Sequence, residues 1–167
     1  MEIRKLTGDD ASEYWRLRLE ALQQNPEAFA TTYEDARARV NPLIRVANNL
    51  DAKESATIGA FIGEELVGTM TLAAEQAPKL KHRINLLAVY VTPKVRGQKV
   101  GAKLLQDVIA FAKQWPGIEK INLTVVSSNE PAIRLYEQLG FVSFGVEQNA
   151  MKSGSSYVDE VYMHLLF

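Results

Sequence analysis

Hydrophobic and polar residues follow two different periods along this chain, and the change of period separates predicted helices from predicted strands. A short strand over residues 3–6 precedes a helix that extends to about Leu22, with apolar side chains three and four positions apart. One or two helical turns are predicted near residues 26–30. A second helix is predicted over about residues 34–50, and Asn41-Pro42 should break or restart it.

From residue 57 onward the period is that of strands. Residues 57–62 and 66–74, joined by Gly63-Glu64-Glu65, predict a hairpin. Residues 84–91 are apolar on both faces, which is typical of a central strand. The remaining predicted elements are a helix from about Val100 to Trp115-Pro116-Gly117, a strand over 121–126, a helix over 129–139 capped by Gly140, and closing strands over 141–150 and 157–166. This order predicts an α/β (α+β) protein, a mixed sheet with helices on both faces.

Composition narrows the class of protein. The 167 residues suit one domain spanning 1–167, and the net charge of −1 gives no indication of nucleic acid or of an anionic membrane surface as a partner. The absence of cysteine excludes disulfides, thiolate metal sites and a cysteine nucleophile, and no metal site is predicted. No apolar run approaches the length of a membrane span, so a cytoplasmic location is expected by default.

Four cations surround the start of the helix predicted from Val100, which is unusual. A helix N-terminus carries about half a positive charge and normally attracts acidic residues. The cations are either a solvated basic surface or one side of a phosphate site, in which free N–H groups and flanking Arg or Lys bind an anion from outside the chain. We favour the phosphate site because glycines accompany the cations in a strand–turn–helix context. The cations are Lys94, Arg96, Lys99 and Lys103.

Two common nucleotide motifs do not fit these glycines. A P-loop requires Gly-Lys-Ser/Thr, whereas Gly101 is followed by Ala102. A dinucleotide-binding fingerprint requires G-x-G-x-x-G after the first strand, whereas this turn has the order Gly97, Lys99, Gly101 after a strand in the middle of the chain.

The segments "VTPKVRGQKVGAKLL" (91–105) and "NEPAIRLYEQLGF" (129–141) resemble the GNAT superfamily of N-acetyltransferases, and the resemblance extends over essentially the whole chain. It implies a mostly antiparallel sheet of six to seven strands flanked by about four helices, with the fourth and fifth strands splayed apart. It also implies acetyl-CoA as cofactor and a primary amine as acceptor, either a small molecule or the N-terminus or a lysine of a peptide. Dimers are common in the superfamily, so a homodimer is an option for this chain.

The resemblance also assigns roles to residues of this sequence. The glycine turn would hold the diphosphate of the cofactor, backbone amides of the fourth strand would bind its acyl and pantetheine groups, and Asn129 would bind the pantetheine amide. Tyr136 would be the general acid at the thioester sulfur. The turn residues are Arg96, Gly97, Gln98, Lys99, Val100, Gly101 and Ala102, and the strand residues are Val89, Tyr90 and Val91.

One position departs from the pattern, because Lys99 occupies the place of the middle glycine. If this residue adopts a positive φ, lysine costs roughly 1–2 kcal/mol that glycine avoids. Three outcomes are open: the backbone is right-handed at Lys99, the affinity for the cofactor is reduced, or the ammonium contacts a phosphate and offsets the strain.

The spacing of Asn129 and Tyr136 is compatible with one ligand along a helix. They are seven positions apart, about 10 Å of rise, and lie on nearly one face. The alternative role for Asn129 is that of a helix cap, and an arbitrary helical tyrosine is more often a core residue. Because a phenol has a pKa of about 10 and a thiol of about 8.5, partial donation to the sulfur is more plausible than full transfer. Without cysteine, direct transfer in a ternary complex is favoured over an acyl-enzyme.

The acceptor is expected between the loop after the first helix and the last hairpin, where the resemblance places it. Phe29, Tyr33 and Glu34 are the predicted acceptor-binding residues, and an acidic rim would suit a cationic amine, although a solvated acidic surface is an equal alternative. No carboxylate occurs on the two central strands, so Glu34, Glu75, His82 and water relays are the candidates for a general base. The alternative function is a non-catalytic CoA-binding sensor or interaction module. The rim consists of Glu27, Glu34, Asp35, Asp159 and Glu160.

Overall fold

The computed structural model describes residues 1–167 as one seven-stranded sheet with five α-helices. The strand order across the sheet is β1-β2-β3-β4-β5-β7-β6. The strands are β1 Glu2–Lys5, β2 Ser55–Ile62, β3 Glu65–Ala74, β4 Arg83–Val91, β5 Lys120–Val126, β6 Val142–Ser153 and β7 Ser156–Leu166. The helices are α1 Ala11–Gln24, α2 Tyr33–Arg37, α3 Pro42–Leu50, α4 Val100–Gln114 and α5 Glu130–Gln138.

The sheet divides at β4 and β5, the one parallel pair among antiparallel neighbours. These strands pair only from Arg83 opposite Lys120 to Asn85 opposite Asn122, and beyond that point they separate. The rest of β4 therefore has no partner strand on its β5 side. This arrangement confirms the predicted mixed, mostly antiparallel sheet with splayed fourth and fifth strands.

A bulge in β4 lies just beyond the point of separation. Ala88 has a φ of 49°, and the register of β4 against β3 shifts between Leu87 opposite Thr71 and Tyr90 opposite Thr69. Positive φ is uncommon for a residue with a side chain, and bulges of this kind re-aim the neighbouring backbone.

Apolar cores cover the two faces of the sheet. On one face, called the α1 face, α1 and α3 pack over the β1–β4 half. On the other, called the α4 face, α4 inserts four fully buried side chains: Leu104, Leu105, Val108 and Ala112. On the α1 face, no α-helix packs over β5, β6 and β7, and Phe144 of β6 is 55% exposed, as is Leu87 of the adjacent β4 at 48%.

Two expectations from the sequence are refined. The predicted second helix is divided into α2 and α3, because Asn41 adopts a φ of 50° before Pro42 and the helix restarts there. The predicted central strand β4 lies fourth of seven, but it is not apolar and buried on both faces throughout, since Leu87 opens to the uncovered half. None of the helices combines the length and the apolar character needed to cross a membrane.

Candidate functional site

The turn before α4 has the left-handed backbone that the glycine pattern suggested. Gly97 has a φ of 78°, and Lys99, the N-cap of α4, has a φ of 58° and a ψ of 18°. The right-handed alternative for Lys99 is therefore wrong, because the turn demands the conformation that glycine adopts most readily. Lys99 thus occupies a position where a side chain is costly.

Of the four predicted cations at this helix start, two form ion pairs with acidic residues and two do not. Lys94 contacts Glu65 at 3.0 Å, and Lys103 contacts Asp107 at 2.6 Å one turn further along the helix. Arg96 and Lys99 form no ion pair, both are exposed, and the first turn of α4 contains no acidic residue. The positive potential at this helix end is therefore concentrated on Arg96, Lys99 and the free amides.

Gly101 brings α4, α5 and the end of β4 together. A Cβ atom on Gly101 would lie 3.6 Å from Leu135 Cδ2 of α5 and 3.8 Å from Val91 Cγ2 of β4, so glycine leaves room at this junction. Val100 is buried and anchors the helix start, whereas Gly97 and Gln98 are exposed and Ala102 is half-buried.

The predicted strand residues lie along the unpaired edge of β4, and they differ in where their side chains go. Val89 and Val91 pack against the core on the α4 face, whereas Tyr90 lies in the smaller core on the α1 face. The Tyr90 hydroxyl donates to Glu20 Oε1 at 3.0 Å, and burial followed by this carboxylate raises the pKa of Tyr90. Sequence reasoning missed Glu20, because nothing local links α1 to β4.

Tyr136 lies in the core on the α4 face. It is 4% exposed, and its ring centroid is 5.6 Å from that of Phe141. Burial raises the pKa of the Tyr136 hydroxyl to about 12. The hydroxyl therefore stays protonated across the physiological range and can act as a hydrogen-bond donor.

Asn129 is the N-cap of α5, the simpler of the two roles that its position suggested. Its Oδ1 accepts a hydrogen bond from the Ala132 backbone N–H at 3.3 Å. Its amide nitrogen remains available, since the cap uses only the oxygen.

The predicted acceptor-binding residues line one cavity of about 900 Å³, called the large cavity. Phe29, Tyr33 and Glu34 form one wall, and the tip of the β6–β7 hairpin forms the opposite wall with Met151, Lys152, Ser153 and Val158. Two segments separated by more than a hundred residues thus meet where the acceptor was expected.

Comparison with known proteins agrees with this geometry. Residues 13–141 match the family model described as the acetyltransferase (GNAT) family. The chain belongs to that family. The matched span includes the turn before α4 and helix α5, so the resemblance of residues 91–105 and 129–141 to the GNAT superfamily is confirmed.

Individual members of the GNAT family are similar at modest identity. The L-amino acid N-acetyltransferase AaaT of Escherichia coli (strain K12) is 29% identical over 104 residues, which are 62% of this chain and 64% of that protein. A crystal structure of a probable acetyltransferase from Staphylococcus epidermidis ATCC 12228 is 26% identical with a TM-score of 0.80 and covers 99% of this chain and 98% of its own. A putative acetyltransferase from Salmonella typhimurium, solved with its cofactor acetyl-CoA, is 20% identical with a TM-score of 0.80 and covers 99% of this chain and 93% of its own, which shows a shared fold.

The predicted acidic rim is only partly assembled in this GNAT protein. Glu27 and Glu34 line the large cavity, whereas the Asp159 carboxylate accepts a hydrogen bond from the Asn149 backbone N–H at 2.8 Å. Asp35 is exposed outside the cavity lining. Burial, with Glu147 as the smaller cause, raises the pKa of Glu160.

Glu75, one of the candidate bases, is held by two donors. Asn85 Nδ2 donates to Glu75 Oε1 at 3.0 Å and Arg83 Nη2 at 3.4 Å, and the hydrogen bond from Asn85 is the largest cause that lowers the pKa of Glu75. A carboxylate with a lowered pKa is a poorer base. No group of three or more histidine, aspartate and glutamate side chains is arranged to hold a metal ion.

A second cavity, of about 340 Å³ and called the small cavity, lies on the uncovered α1 face where β4 and β5 part. Sequence reasoning established only that the two central strands carry no carboxylate, and it did not predict a cavity. The signal in the sequence that could have indicated this cavity is a set of polar residues on one face of two otherwise apolar strands, Asn85 on β4 and Asn122 and Thr124 on β5. The lining consists of Arg83, Asn85, Leu87, Asn122, Leu123, Thr124, Phe144 and Tyr162.

Proposed function

We propose that this protein is an N-acetyltransferase that moves an acetyl group from acetyl-CoA to a primary amine by direct transfer in a ternary complex. The observation that carries the proposal is the junction at Gly101. There, a helix start with two unpaired cations, the unpaired edge of β4 and the helix bearing Tyr136 come together.

The residues present fit the cofactor. Arg96, Lys99 and the amides of residues 97–102 that have no carbonyl partner would hold its diphosphate, because unpaired cations and a helix N-terminus form an anion site. The Gln98 N–H is not one of them, since it donates to the Val95 carbonyl at 3.3 Å. The β4 segment Val89, Tyr90 and Val91 would bind the pantetheine and acyl groups through the amides that face its unpaired edge, those of Val89 and Val91, and Asn129 would donate from its amide nitrogen.

Bound acetyl-CoA would supply the acetyl group as a thioester, and its transfer to an amine releases a free thiol. Tyr136 would hold its proton and donate a hydrogen bond at the sulfur side of the junction. With the Tyr136 pKa at about 12, full transfer of that proton to a thiolate is uphill by about 5 kcal/mol. Tyr136 therefore acts through hydrogen-bond donation, and the lack of cysteine favours direct attack by the amine.

The large cavity is the proposed entry for the acceptor. Phe29 and Tyr33 would contact its apolar part, and Glu34 would attract its ammonium group. The same cavity would admit a small-molecule amine or the N-terminus or lysine of a peptide. The alternative function is a non-catalytic CoA-binding module. It is supported by the departure from the family motif at Lys99, where glycine would adopt the same backbone without strain.

The proposal is tested with acetyl-CoA and a panel of amines by following thiol release from the native protein and from Tyr136→Phe. We expect kcat to fall by about 100-fold, the effect of losing one hydrogen-bond donor to the charge that develops in the transition state, while the Kd for CoA changes little. Tyr14→Phe, which alters a tyrosine that packs against the core on the α1 face, is the matched control and should retain activity. Tight CoA binding without thiol release from any amine would favour the non-catalytic module.

A further inference from the structure

Glu160 lies on β7 between the two cavities. It belongs to a row of alternate β7 residues that share the α1 face, because the side chains of a strand alternate between its two faces. Its neighbours in this row are Val158, which lines the large cavity, and Tyr162, which lines the small cavity. Glu160 is half-buried, and no α-helix packs over this half of the sheet on the α1 face. An acceptor that moves from the large cavity along the sheet therefore passes over Glu160.

The strand register also places Glu160 at the level of the β4 segment that would bind the acyl group. Glu160 is paired with Val126, the last residue of β5. Continuing from the pair of Asn85 and Asn122, and allowing for the extra residue of the β4 bulge, Val126 comes level with Tyr90. Glu160 is one strand spacing, about 5 Å, from Val126. Its side chain can reach an amine in the gap between β4 and β5 directly or through one water.

No cation neutralises the Glu160 carboxylate, which forms no ion pair. The residues directly opposite are Val126 of β5 and Glu147 of β6, and the Tyr162 hydroxyl on the same face donates to Glu147. The titratable groups that face Glu160 are thus Glu147 and Tyr162, and neither is a cation. Burial first, and then Glu147, raises the pKa of Glu160.

Two other carboxylates beside β4 are held by donors, unlike Glu160. Glu20 accepts from the Tyr90 hydroxyl at 3.0 Å and lies 3.6 Å from Arg16. Glu75 accepts from two side chains that lower its pKa. A carboxylate that is already hydrogen-bonded in its charged form is a poorer proton acceptor. Glu160 is therefore the better placed of the three to accept a proton.

The approach to Glu160 favours an amine that arrives as a cation. The lining of the large cavity contains two carboxylates, Glu27 and Glu34, and one cation, Lys152, whose ammonium lies 5.3 Å from the centroid of the Tyr157 ring. This lining therefore attracts an ammonium group. Because an ammonium has no lone pair with which to attack a thioester, it must lose a proton at the site.

From this placement we infer that Glu160 is the general base, which takes a proton from the ammonium group of the acceptor directly or through one water. The neutral amine then attacks the acetyl carbon, and its C–N bond forms as the C–S bond breaks. The second amine proton leaves with the sulfur as the free thiol, and Glu160 returns its proton to solvent over the uncovered α1 face. This inference rests on the proposed function and assigns a base that the candidates Glu34, Glu75 and His82 did not include.

A matched pair of amines tests this base on the full chain with acetyl-CoA. Phenylethylamine is protonated at about pH 8, as a lysine side chain is, whereas two fluorines on the carbon next to its amine-bearing carbon leave the difluoro derivative mostly neutral. Glu160→Gln keeps the size of the side chain and removes the base. We expect it to lower kcat/KM about 100-fold for phenylethylamine and less than about 3-fold for the difluoro derivative, which needs no base to become neutral.

Two further variants show whether the carboxylate itself matters. Glu160→Asp keeps a carboxylate and should restore kcat/KM for phenylethylamine to within about 10-fold of the native value. Glu119→Gln alters an exposed glutamate just before β5, at the opposite end of that strand from Val126, and is the control that should leave both amines unaffected. Far-UV circular dichroism checks that each variant is folded.

The pH profile of kcat/KM for phenylethylamine is a second readout. Glu160 must be ionised to accept a proton, so activity is lost as the pH falls through its pKa, which lies above the ordinary glutamate value of about 4.3. Glu147→Gln removes the neighbouring charge and keeps an oxygen for the Tyr162 hydroxyl. It should move this acid limb to lower pH, and Glu160→Gln should abolish the limb.

The outcomes separate this inference from the proposed function. Equal losses for the two amines in Glu160→Gln, or an acid limb that persists in that variant, overturn the base and leave the acetyltransferase intact. If another amine is acetylated but phenylethylamine is not, the acid limb of that amine in the native protein and in Glu160→Gln decides. If the native protein acetylates no amine, the proposed function fails and the base fails with it.

Discussion

At the scale of single residues, Lys99 combines a backbone cost with an electrostatic purpose. Its φ of 58° lies in the left-handed region, which is roughly 1 kcal/mol less favourable for a residue with a side chain. Its ammonium has no acidic partner in the folded chain, so no internal ion pair offsets the backbone strain at Lys99. A cation held at this cost at a helix start is consistent with an external anion.

The backbone strain at Lys99 can be measured by comparing two substitutions that both remove the ammonium. Lys99→Gly should have a free energy of unfolding about 1 kcal/mol higher than Lys99→Ala, because glycine adopts the left-handed conformation without steric conflict. Urea unfolding of the two proteins provides the measurement.

The same pair of substitutions at Lys103 is the matched control for Lys99. Lys103 lies inside α4, where glycine should be about 1 kcal/mol less favourable than alanine. A glycine at 99 that is no more stable than alanine would contradict the left-handed turn.

At the scale of elements, Arg4 and Asp10 join β1 to the start of α1. The two guanidinium nitrogens Nη1 and Nη2 of Arg4 contact the Asp10 carboxylate at 2.9 and 2.7 Å, and the Thr7 backbone N–H donates to the same carboxylate at 2.9 Å. The hydrogen bond from Arg4 is the largest cause that lowers the pKa of Asp10. The ionised carboxylate therefore stabilises the folded state.

The sign of the pH dependence at Asp10 follows from this lowered pKa. The stabilisation is complete above the ordinary aspartate pKa of about 4 and is lost as the pH falls through the lower folded value. Asp10→Asn should reduce the free energy of unfolding at pH 7 by about 1 kcal/mol, since Arg4 is partly exposed and solvent screens the pair. Its stability should also fall less steeply in acid.

Unfolding in urea between pH 2 and 7 tests this prediction for Asp10. Asp9→Asn, in the same turn but at an exposed carboxylate without an ion pair, is the control and should keep the acid limb of the native protein. Identical acid limbs for Asp10→Asn and the native protein would show that the Arg4 contact is not formed in solution.

At the scale of the whole molecule, one sheet carries both cores. The cluster on the α1 face and the cluster on the α4 face both include residues of β2, β3 and β4. Loss of packing in one cluster therefore disturbs the strands on which the other cluster depends. The chain is therefore expected to unfold as one cooperative domain over residues 1–167.

The two tryptophans report on the two cores separately. Trp15 packs against the cluster on the α1 face, and Trp115 packs against the cluster on the α4 face. In Trp115→Phe and in Trp15→Phe, the fluorescence transition of the remaining tryptophan in urea should coincide with the far-UV circular dichroism transition of the same protein. A separate midpoint for either tryptophan would indicate two independently stable units.

Sequence reasoning succeeded where a feature is local. The hairpin of β2 and β3, the break at Asn41 and the start of α5 depend on turn and cap residues that are adjacent in the chain. It failed for features that distant segments build together: the contact of Glu20 with Tyr90, seventy residues apart, and the cavity that Arg83 and Asn122 both line. The bulge at Ala88 also had no signal, because alanine does not favour a positive φ.

The sequence by itself determined the order of helices and strands, the cation-bearing turn and the helix with Asn129 and Tyr136, because periodicity, caps and charge act over a few residues. Only the tertiary structure decided that β4 and β5 part after Asn85, that Lys94 and Lys103 are neutralised while Arg96 and Lys99 are not, and that a second cavity opens beside Arg83. These features depend on which strands become neighbours and on how far they stay paired. Strand pairing is a long-range choice made by the packing of both faces of the sheet.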